Sequence, residues 1–200
     1  YGEYLRRYIR EVKAKGAHPI LFSLTPRNSW DNETTLTRKW DTFTPWGKQV
    51  AAEEGVPHID LEAITAQKFE KFGPAKVNYM FYLDKIHTSE FGARTNARSA
   101  AEGIAACTES DLRNYLPPLD LPMADVQREP GKPVLFLCGD STMKNADKDE
   151  DGMWGWGSVA DYVFDSAKIT VANCGNLDGG SSSVMVYEGE IINNCASVTG

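Results

Sequence analysis

Two short segments hold residue types suited to acyl transfer. The first is Gly139-Asp140-Ser141-Thr142, at the end of the apolar run 133–138. A serine on a tight turn after a buried strand is exposed at the sheet's C-terminal edge, where open α/β sheets bind ligands, and its hydroxyl attacks a carbonyl if a base is in reach. Ser141 is the nucleophile candidate. The same four residues also read as a helix N-cap or a phosphate loop, because short motifs match by chance. The second segment is Asp84-Lys85-Ile86-His87, whose spacing lets one loop present an imidazole while the carboxylate bonds its Nδ1–H. Such a pair fixes the tautomer that takes the nucleophile's proton and stabilises the imidazolium that results. The bland alternative is a surface histidine beside a helix cap. It suits His18 and His58, which flank strand-like runs without a partner at that spacing and are assigned to structure.

The elements that must position these residues follow from periodicity. Tyr4, Leu5, Tyr8, Ile9 and Val12 form one stripe of a first helix that ends at Gly16. Residues 19–24 form an apolar strand, residues 46–54 a helix closed by Gly55, and residues 57–60 a short strand. A helix over 61–72 follows. Residues 82–88 form a loop into a long helix over 89–106, with Ser89 as its cap. Prolines 117, 118, 122, 130 and 133 interrupt every period and mark a linker. Beyond it come a strand over 133–142, a helix over 156–165, a strand over 168–175 and a weak helix in 181–200. Alternating strands and helices predict the α/β class with a parallel sheet. The strands at 19–24 and 134–138 are apolar on both faces, so each needs a parallel neighbour and helices on both sides. One shared sheet is expected to satisfy both, bringing Ser141 within hydrogen-bond distance of His87.

Bulk properties narrow the partners. The 200 residues carry a formal charge of −7, with a pI near 5.0, 42% hydrophobic and 24% charged residues. No cluster of Lys and Arg suits phosphate, which argues against nucleic acid and against an anionic membrane surface. No apolar run reaches the roughly 18–20 residues of a membrane span. The amphipathic pattern begins at Tyr1 itself, which suggests a start inside a domain. Cys107, Cys138, Cys174 and Cys195 lack metal or redox spacing and read as buried free thiols, while their even number also permits disulfides in a secreted protein. Asp147, Asp149, Asp151 and Gly152 imitate half of a calcium loop, but Ser158 stands at the position of the bidentate Glu, so an acidic solvated loop is the expectation.

The quoted blocks, together with Gly155-Trp156-Gly157, "GGSSS" and "DKIHTSEFGA", resemble those of the SGNH (GDSL-type) hydrolases, most of all the rhamnogalacturonan acetylesterases. Residues 1–104 are similar to the C-terminal half of that family, including "YLRRYIREVKAKGAHPIL" and "EEGVPHIDL". The resemblance implies a three-layer α/β/α flavodoxin-like sheet, incomplete or permuted, with Ser141 as nucleophile and Asp84 and His87 as orienter and base. It implies an oxyanion hole from the Ser141 and Gly180 backbone N–H groups, an acetylated pectic polysaccharide as substrate, no metal or organic cofactor, and an extracellular or periplasmic location. Two departures stand out. Ser181 replaces the arginine usual after the glycine pair, and the Gly-x-Asn-Asp block that completes the oxyanion hole is missing; Gly175-Asn176-Leu177-Asp178 follows the wrong strand. The blocks also run in swapped order. Residues 1–115 are expected to be the C-terminal half of one hydrolase domain, 116–133 a linker, and 134–200 the N-terminal half of a tandem domain; circular permutation is the alternative. Another SGNH ester hydrolase, acting on lipid, thioester or another glycan, and a noncatalytic carbohydrate-binding remnant are the competing functions.

Overall fold

The computed structural model describes residues 1–38, 42–117, 133–140, 142–143, 152–176, 186–187 and 190–191. Helix α1 (Gly2–Ala14) ends at Gly16, whose φ of 77° is a left-handed conformation that suits glycine. It lies on α2 (Phe43–Glu54), where Arg6 and Arg10 reach Glu53 and Glu54 at 2.6 and 2.7 Å. These pairs are largely solvated and align the helices more than they stabilise them. Strand β1 (Leu21–Phe22) runs parallel to β2 (His58–Ile59), pairing Leu21 with His58 and Phe22 with Ile59. Both strands are shorter than their apolar runs suggest. Pro19 and Pro57 have no N–H to contribute, and Ser23 turns its hydroxyl to Asp60 and accepts from the Glu62 N–H, which hands the chain over to the next helix. That helix, α3 (Leu61–Asn78), is N-capped by the Asp60 carboxylate on the Ala63 N–H. It breaks at Gly73 (φ 76°), close to the stop expected after Phe72, and Pro74 starts a further short helical segment that the sequence pattern did not reveal.

Helix α4 (Glu90–Ala106) organises the main core. Ala93, Ala97, Ala100, Ala101 and Ile104 form its buried face, and their small side chains admit neighbours at close range. A Cβ at Gly103 would fall 2.4 Å from Ile59 Cγ2, so β2 lies directly against the helix. On this face Ile59 and Leu61 meet Leu137, Met143, Trp156, Val159, Ala160, Val163, Phe164 and Ile169 in one cluster. The stretches on either side of the proline-rich segment therefore share a core. Arg94 adds a contact at 4.6 Å from the Tyr162 ring centroid.

Strand β3 (Val134–Gly139) pairs in parallel with β4 (Thr170–Asn176), with a register shift between Leu137 and Cys138. The α/β class is as expected, with helices and parallel strands. The single shared sheet is not: β1–β2 and β3–β4 are separate two-stranded sheets among the described residues. Helix packing through α4, rather than strand pairing, joins the halves. Nor is β3 covered on both faces, since Phe136 is 62% exposed and Cys138 is also exposed, against the expectation of a buried thiol. Cys107 is half-buried, and neither it nor Cys138 forms a disulfide. Residues Trp156–Val163 form a 3₁₀ rather than an α-helix. Gly157 and the β-branched Val159 and Val163 are poor α-formers, so packing against α4 sets the shape of the segment. A second 3₁₀ turn, Asp111–Tyr115, had no sequence signal. Where a weak helix was expected in 181–200, the described residues form an antiparallel pair, β5 (Val186–Tyr187) with β6 (Glu190–Ile191). No described helix is long and apolar enough to cross a membrane.

A single core across both stretches predicts one cooperative urea transition. Ala97→Leu forces a larger side chain into a site with 0% exposure, and is expected to lower stability by about 1–3 kcal/mol while leaving a single transition. Two resolved transitions, with the substitution moving only one, would show that the stretches fold independently.

Candidate active site

Residues 82–87 form a closed loop. An antiparallel bridge between Phe81 and Thr88 forms its base, with the Tyr82 N–H donating to the His87 carbonyl at 3.1 Å and the Ser89 N–H to the Met80 carbonyl at 2.9 Å. Beneath it lies a second apolar cluster of Leu36, Ala66, Phe69, Val77, Met80 and Phe81, with the Phe69 and Phe81 rings edge to face at 5.8 Å. Helix α4 starts immediately after the loop and against it. A Cβ on Gly92 would sit 2.1 Å from the Met80 carbonyl oxygen and 2.8 Å from Thr88 Cβ, so any larger residue would force the helix off the loop. Ser89 occupies the N-cap position but does not cap with its side chain. Its hydroxyl donates to the Tyr79 carbonyl at 3.0 Å, serving loop closure instead.

Within this frame the Asp84 carboxylate accepts three hydrogen bonds. Oδ1 takes the backbone N–H groups of Ile86 and His87, both at 2.7 Å, and Oδ2 is 2.6 Å from His87 Nδ1. One side chain thus shapes the turn and orients the ring. With Nδ1 bound to a carboxylate, the neutral imidazole carries its proton there and presents Nε2 as the basic nitrogen. Partial burial pushes the Asp84 pKa up, but the His87 backbone and ring and the Ile86 N–H outweigh it and hold it at about 2, against the ordinary 3.8.

A strap from the second stretch crosses this loop. The Thr88 hydroxyl donates to the Trp154 carbonyl at 2.6 Å, and the Trp154 N–H donates back to the Thr88 carbonyl at 2.8 Å. Gly152, at φ 73°, lies so close to Tyr82 that a Cβ would be 2.3 Å from the ring. Two residues past Trp154 the strap holds the end of β3: the Trp156 N–H donates to the Thr142 carbonyl at 3.0 Å and the Gly157 N–H to that of Met143 at 3.2 Å. The turn is tightened by Asp140, whose Oδ1 accepts the Thr142 N–H and hydroxyl at 2.9 and 2.7 Å. Met143 folds back so closely that a Cβ on Gly139 would be 2.8 Å from its Cε. Hydrogen bonds at the two ends of the backbone from Trp154 to Trp156 therefore link Thr88, beside His87, to Thr142, beside Ser141 in sequence. Ser141 and Gly180 themselves lie outside the described residues, as do Asp147, Asp149 and Asp151. Among the described residues no group of three or more His, Cys, Asp or Glu side chains could hold a metal. His58 belongs to β2, and His18 is exposed ahead of β1.

Comparison with curated proteins finds a probable rhamnogalacturonan acetylesterase of Bacillus subtilis, YesY, 34% identical over 109 residues, or 52% of this chain and 50% of that protein. Over about half its length the chain is similar to rhamnogalacturonan acetylesterases. The RhgT rhamnogalacturonan acetylesterase of B. subtilis is 28% identical over 52% of the chain and 51% of its own length, and an enzyme of that name from Emericella nidulans is 29% identical over 51% and 41%. The chain spans about half the length of these relatives or less. No protein-family model matches it. Among solved structures, protein YXIM of B. subtilis aligns with a TM-score of 0.49 at 28% identity, covering 52% of this chain and 30% of that one.

The sequence pattern marked Asp84 and His87, held Thr88 and Gly92 only as members of the block "DKIHTSEFGA" without a role, and missed Trp154. Gly92 had a signal, being a glycine in the first turn of a helix, where it costs helix stability and so hints at a close approach. The Thr88–Trp154 pair, separated by 66 residues, had none.

Two outcomes follow. Because the folded pKa of Asp84 is depressed, its contribution to the loop is complete above about pH 4 and is lost as pH falls through about 2. The Ile86 and His87 amide NMR signals should therefore titrate with a midpoint near 2; a midpoint at or above 3.8 would contradict the three-bond carboxylate. Thr88→Val keeps the shape but removes the donor to the part-buried Trp154 carbonyl, and should cost about 1–2 kcal/mol and raise hydrogen exchange at the Trp154 amide. Unchanged exchange would mean that the strap does not depend on this bond.

Proposed function

We propose that this chain carries the catalytic residues of a serine esterase that removes acetyl groups from a pectic polysaccharide, rhamnogalacturonan, by way of an acyl-enzyme. The observation that carries this reading is the Asp84–His87 pair, with its Nδ1 contact at 2.6 Å, strapped through Thr88 and Trp154 to the turn that follows β3. In the mechanism, His87 Nε2 takes the Ser141 hydroxyl proton as Oγ attacks the acetyl carbonyl, giving a tetrahedral oxyanion next to the Ser141 and Gly180 N–H groups. Collapse expels the sugar hydroxyl, which receives the proton from His87. Water, deprotonated by the same nitrogen, then attacks the acetyl-serine and releases acetate. Asp84 stays ionised throughout and stabilises the imidazolium. The names of the similar proteins support the acetyl group and the polysaccharide, and the chemistry requires no metal or organic cofactor. A substrate of this kind fits an extracellular or periplasmic setting.

The missing Gly-x-Asn-Asp block favours a second reading, a noncatalytic carbohydrate-binding domain. Loss of one oxyanion donor costs about a hundred- to a thousandfold in rate, so slow turnover by the 200-residue chain is expected, with covalent chemistry retained. A fluorophosphonate probe should label the chain at Ser141, Ser141→Ala should abolish labelling, and Asp84→Asn should slow it by about 10³–10⁴-fold with the fold intact by circular dichroism. Labelling that survives Ser141→Ala or His87→Ala would assign the chemistry elsewhere; no labelling of the parent chain would favour the binding domain.

A further inference from the structure

An open cavity of about 550 Å³ adjoins the Asp84–His87 loop and includes Lys85, the residue between Asp84 and Ile86. That volume is in the range of small-ligand sites, roughly 300–1,000 Å³. Its walls come from three separate segments: Asn28 and Trp30 ahead of α2, Asn78 and Tyr79 at the end of α3, and Lys85. Asn28 ties the three together. Its Oδ1 accepts the Trp30 indole N–H at 2.8 Å, its Nδ2 donates to Asn78 Oδ1 at 3.3 Å, and its own N–H donates to the Lys85 carbonyl at 2.8 Å. With Asn28 only 8% exposed, the walls are organised before any ligand arrives.

The chemistry of these walls is specific. Trp30 offers a partly exposed indole and Tyr79, 80% exposed, a phenol ring, the flat apolar surfaces on which the C–H faces of a sugar ring pack. Asn78 gives its carbonyl oxygen to Asn28, which leaves its NH₂ group as a donor for hydroxyls. Lys85 is exposed and forms no ion pair among the described residues. The neighbouring Asp84 carboxylate is engaged by Ile86 and His87, and Asp31, next to Trp30, turns Oδ1 to the Thr37 hydroxyl at 2.8 Å. In a chain of net charge −7, this concave surface combines aromatic walls with a lysine that has no ion pair among the described residues.

We propose that this cavity is a glycan subsite that binds a carboxylate-bearing sugar, a uronate residue of the polysaccharide, with Lys85 as the partner of the carboxylate and Trp30 and Tyr79 as the packing surfaces. The inference rests on the polysaccharide reading above and extends it. A chain held here lies beside the loop that carries His87, so binding energy from a non-reacting sugar positions the acetylated one.

The test is direct binding to the 200-residue chain, with de-esterified tetragalacturonate as the probe and a neutral galactose tetrasaccharide as its control. Tetragalacturonate should shift the amide signals of Asn28, Trp30, Asn78 and Lys85 and bind at least about tenfold more tightly than the neutral control. Lys85→Gln should remove that preference, and Tyr79→Ala should weaken binding about tenfold with the remaining amide spectrum unchanged. Raising salt should weaken the wild-type interaction. Equal affinity for the two oligosaccharides, unchanged affinity in Lys85→Gln, or shifts confined to other surfaces would overturn the subsite. Binding at Lys85 without fluorophosphonate labelling would retain the subsite and remove the esterase, whereas labelling without binding would do the reverse.

Discussion

The Asp84 carboxylate takes two backbone N–H groups and an imidazole Nδ1 in a loop only six residues long, whose ends are held together by the Phe81–Thr88 bridge. Each oxygen has a separate duty. One bends the chain through Ile86 and His87, and the other fixes the ring. Severing either set would free the other, since the turn sets the distance between carboxylate and imidazole. A carboxyl group with three donors is far more stable ionised than protonated, which is why its pKa falls to about 2 in spite of its partial burial. The base of the loop has the same interdependence. The Phe81–Thr88 bridge, the Ser89 bonds to Tyr79 and Met80, and the contact of Gly92 with the Met80 carbonyl all bring α4 and the loop into a single unit.

Helix α4 passes that order to the rest of the molecule. Its face of alanines and glycines gives little hydrophobic area per residue but allows close approach, so that α3, β2, the 3₁₀ turn Asp111–Tyr115 and the 3₁₀ helix Trp156–Val163 all pack on one element. Small residues also carry little side-chain entropy, which makes ordering this surface cheap. The strap from Gly152 to Gly157 then needs few bonds to set the relation between the His87 loop and the β3 turn. Its glycines serve different ends: Gly152 makes room for the Tyr82 ring, while Gly157 brings its N–H to the Met143 carbonyl. An arrangement of this kind uses strand pairing only locally. It is the helix, with a loop at its N-terminus and a core on its face, that brings distant segments of sequence into one frame.

Lys85 occupies the same loop with a different role. Because Asp84 and His87 face each other, Lys85, one of the two residues between them, is left to contribute to the cavity shared with Trp30 and Tyr79. One six-residue loop thereby serves both the orientation of an imidazole and the surface next to it, and Asn28 supports both by bonding the Lys85 carbonyl from beneath.

Much of this was legible from sequence because it is local. The stops at Gly16 and Gly55, the parallel strands after them, the helix over 90–106 and the Asp84–His87 partnership all depend on residues within one or two turns of each other, where spacing dictates geometry. Other features were decided by packing. Apolar runs at 19–24 and 134–138 announce strands but do not say which edges meet, and here each found a partner within its own stretch, leaving Phe136 exposed rather than joined to a common sheet. Ser89 has the side chain of a cap, yet it makes no cap bond to the helix and its hydroxyl donates to the Tyr79 carbonyl, which closes the loop. Residues 156–163 have a helical pattern, yet contact with α4 set a tighter 3₁₀ path. By itself the sequence determined how Asp84 faces His87, since a separation of three residues suffices to bring them together. Only the tertiary structure decided how Thr88 is bonded to Trp154 and how Asn28 assembles the cavity at Lys85, because those contacts span tens of residues and exist only once the core has brought their backbones within hydrogen-bond distance.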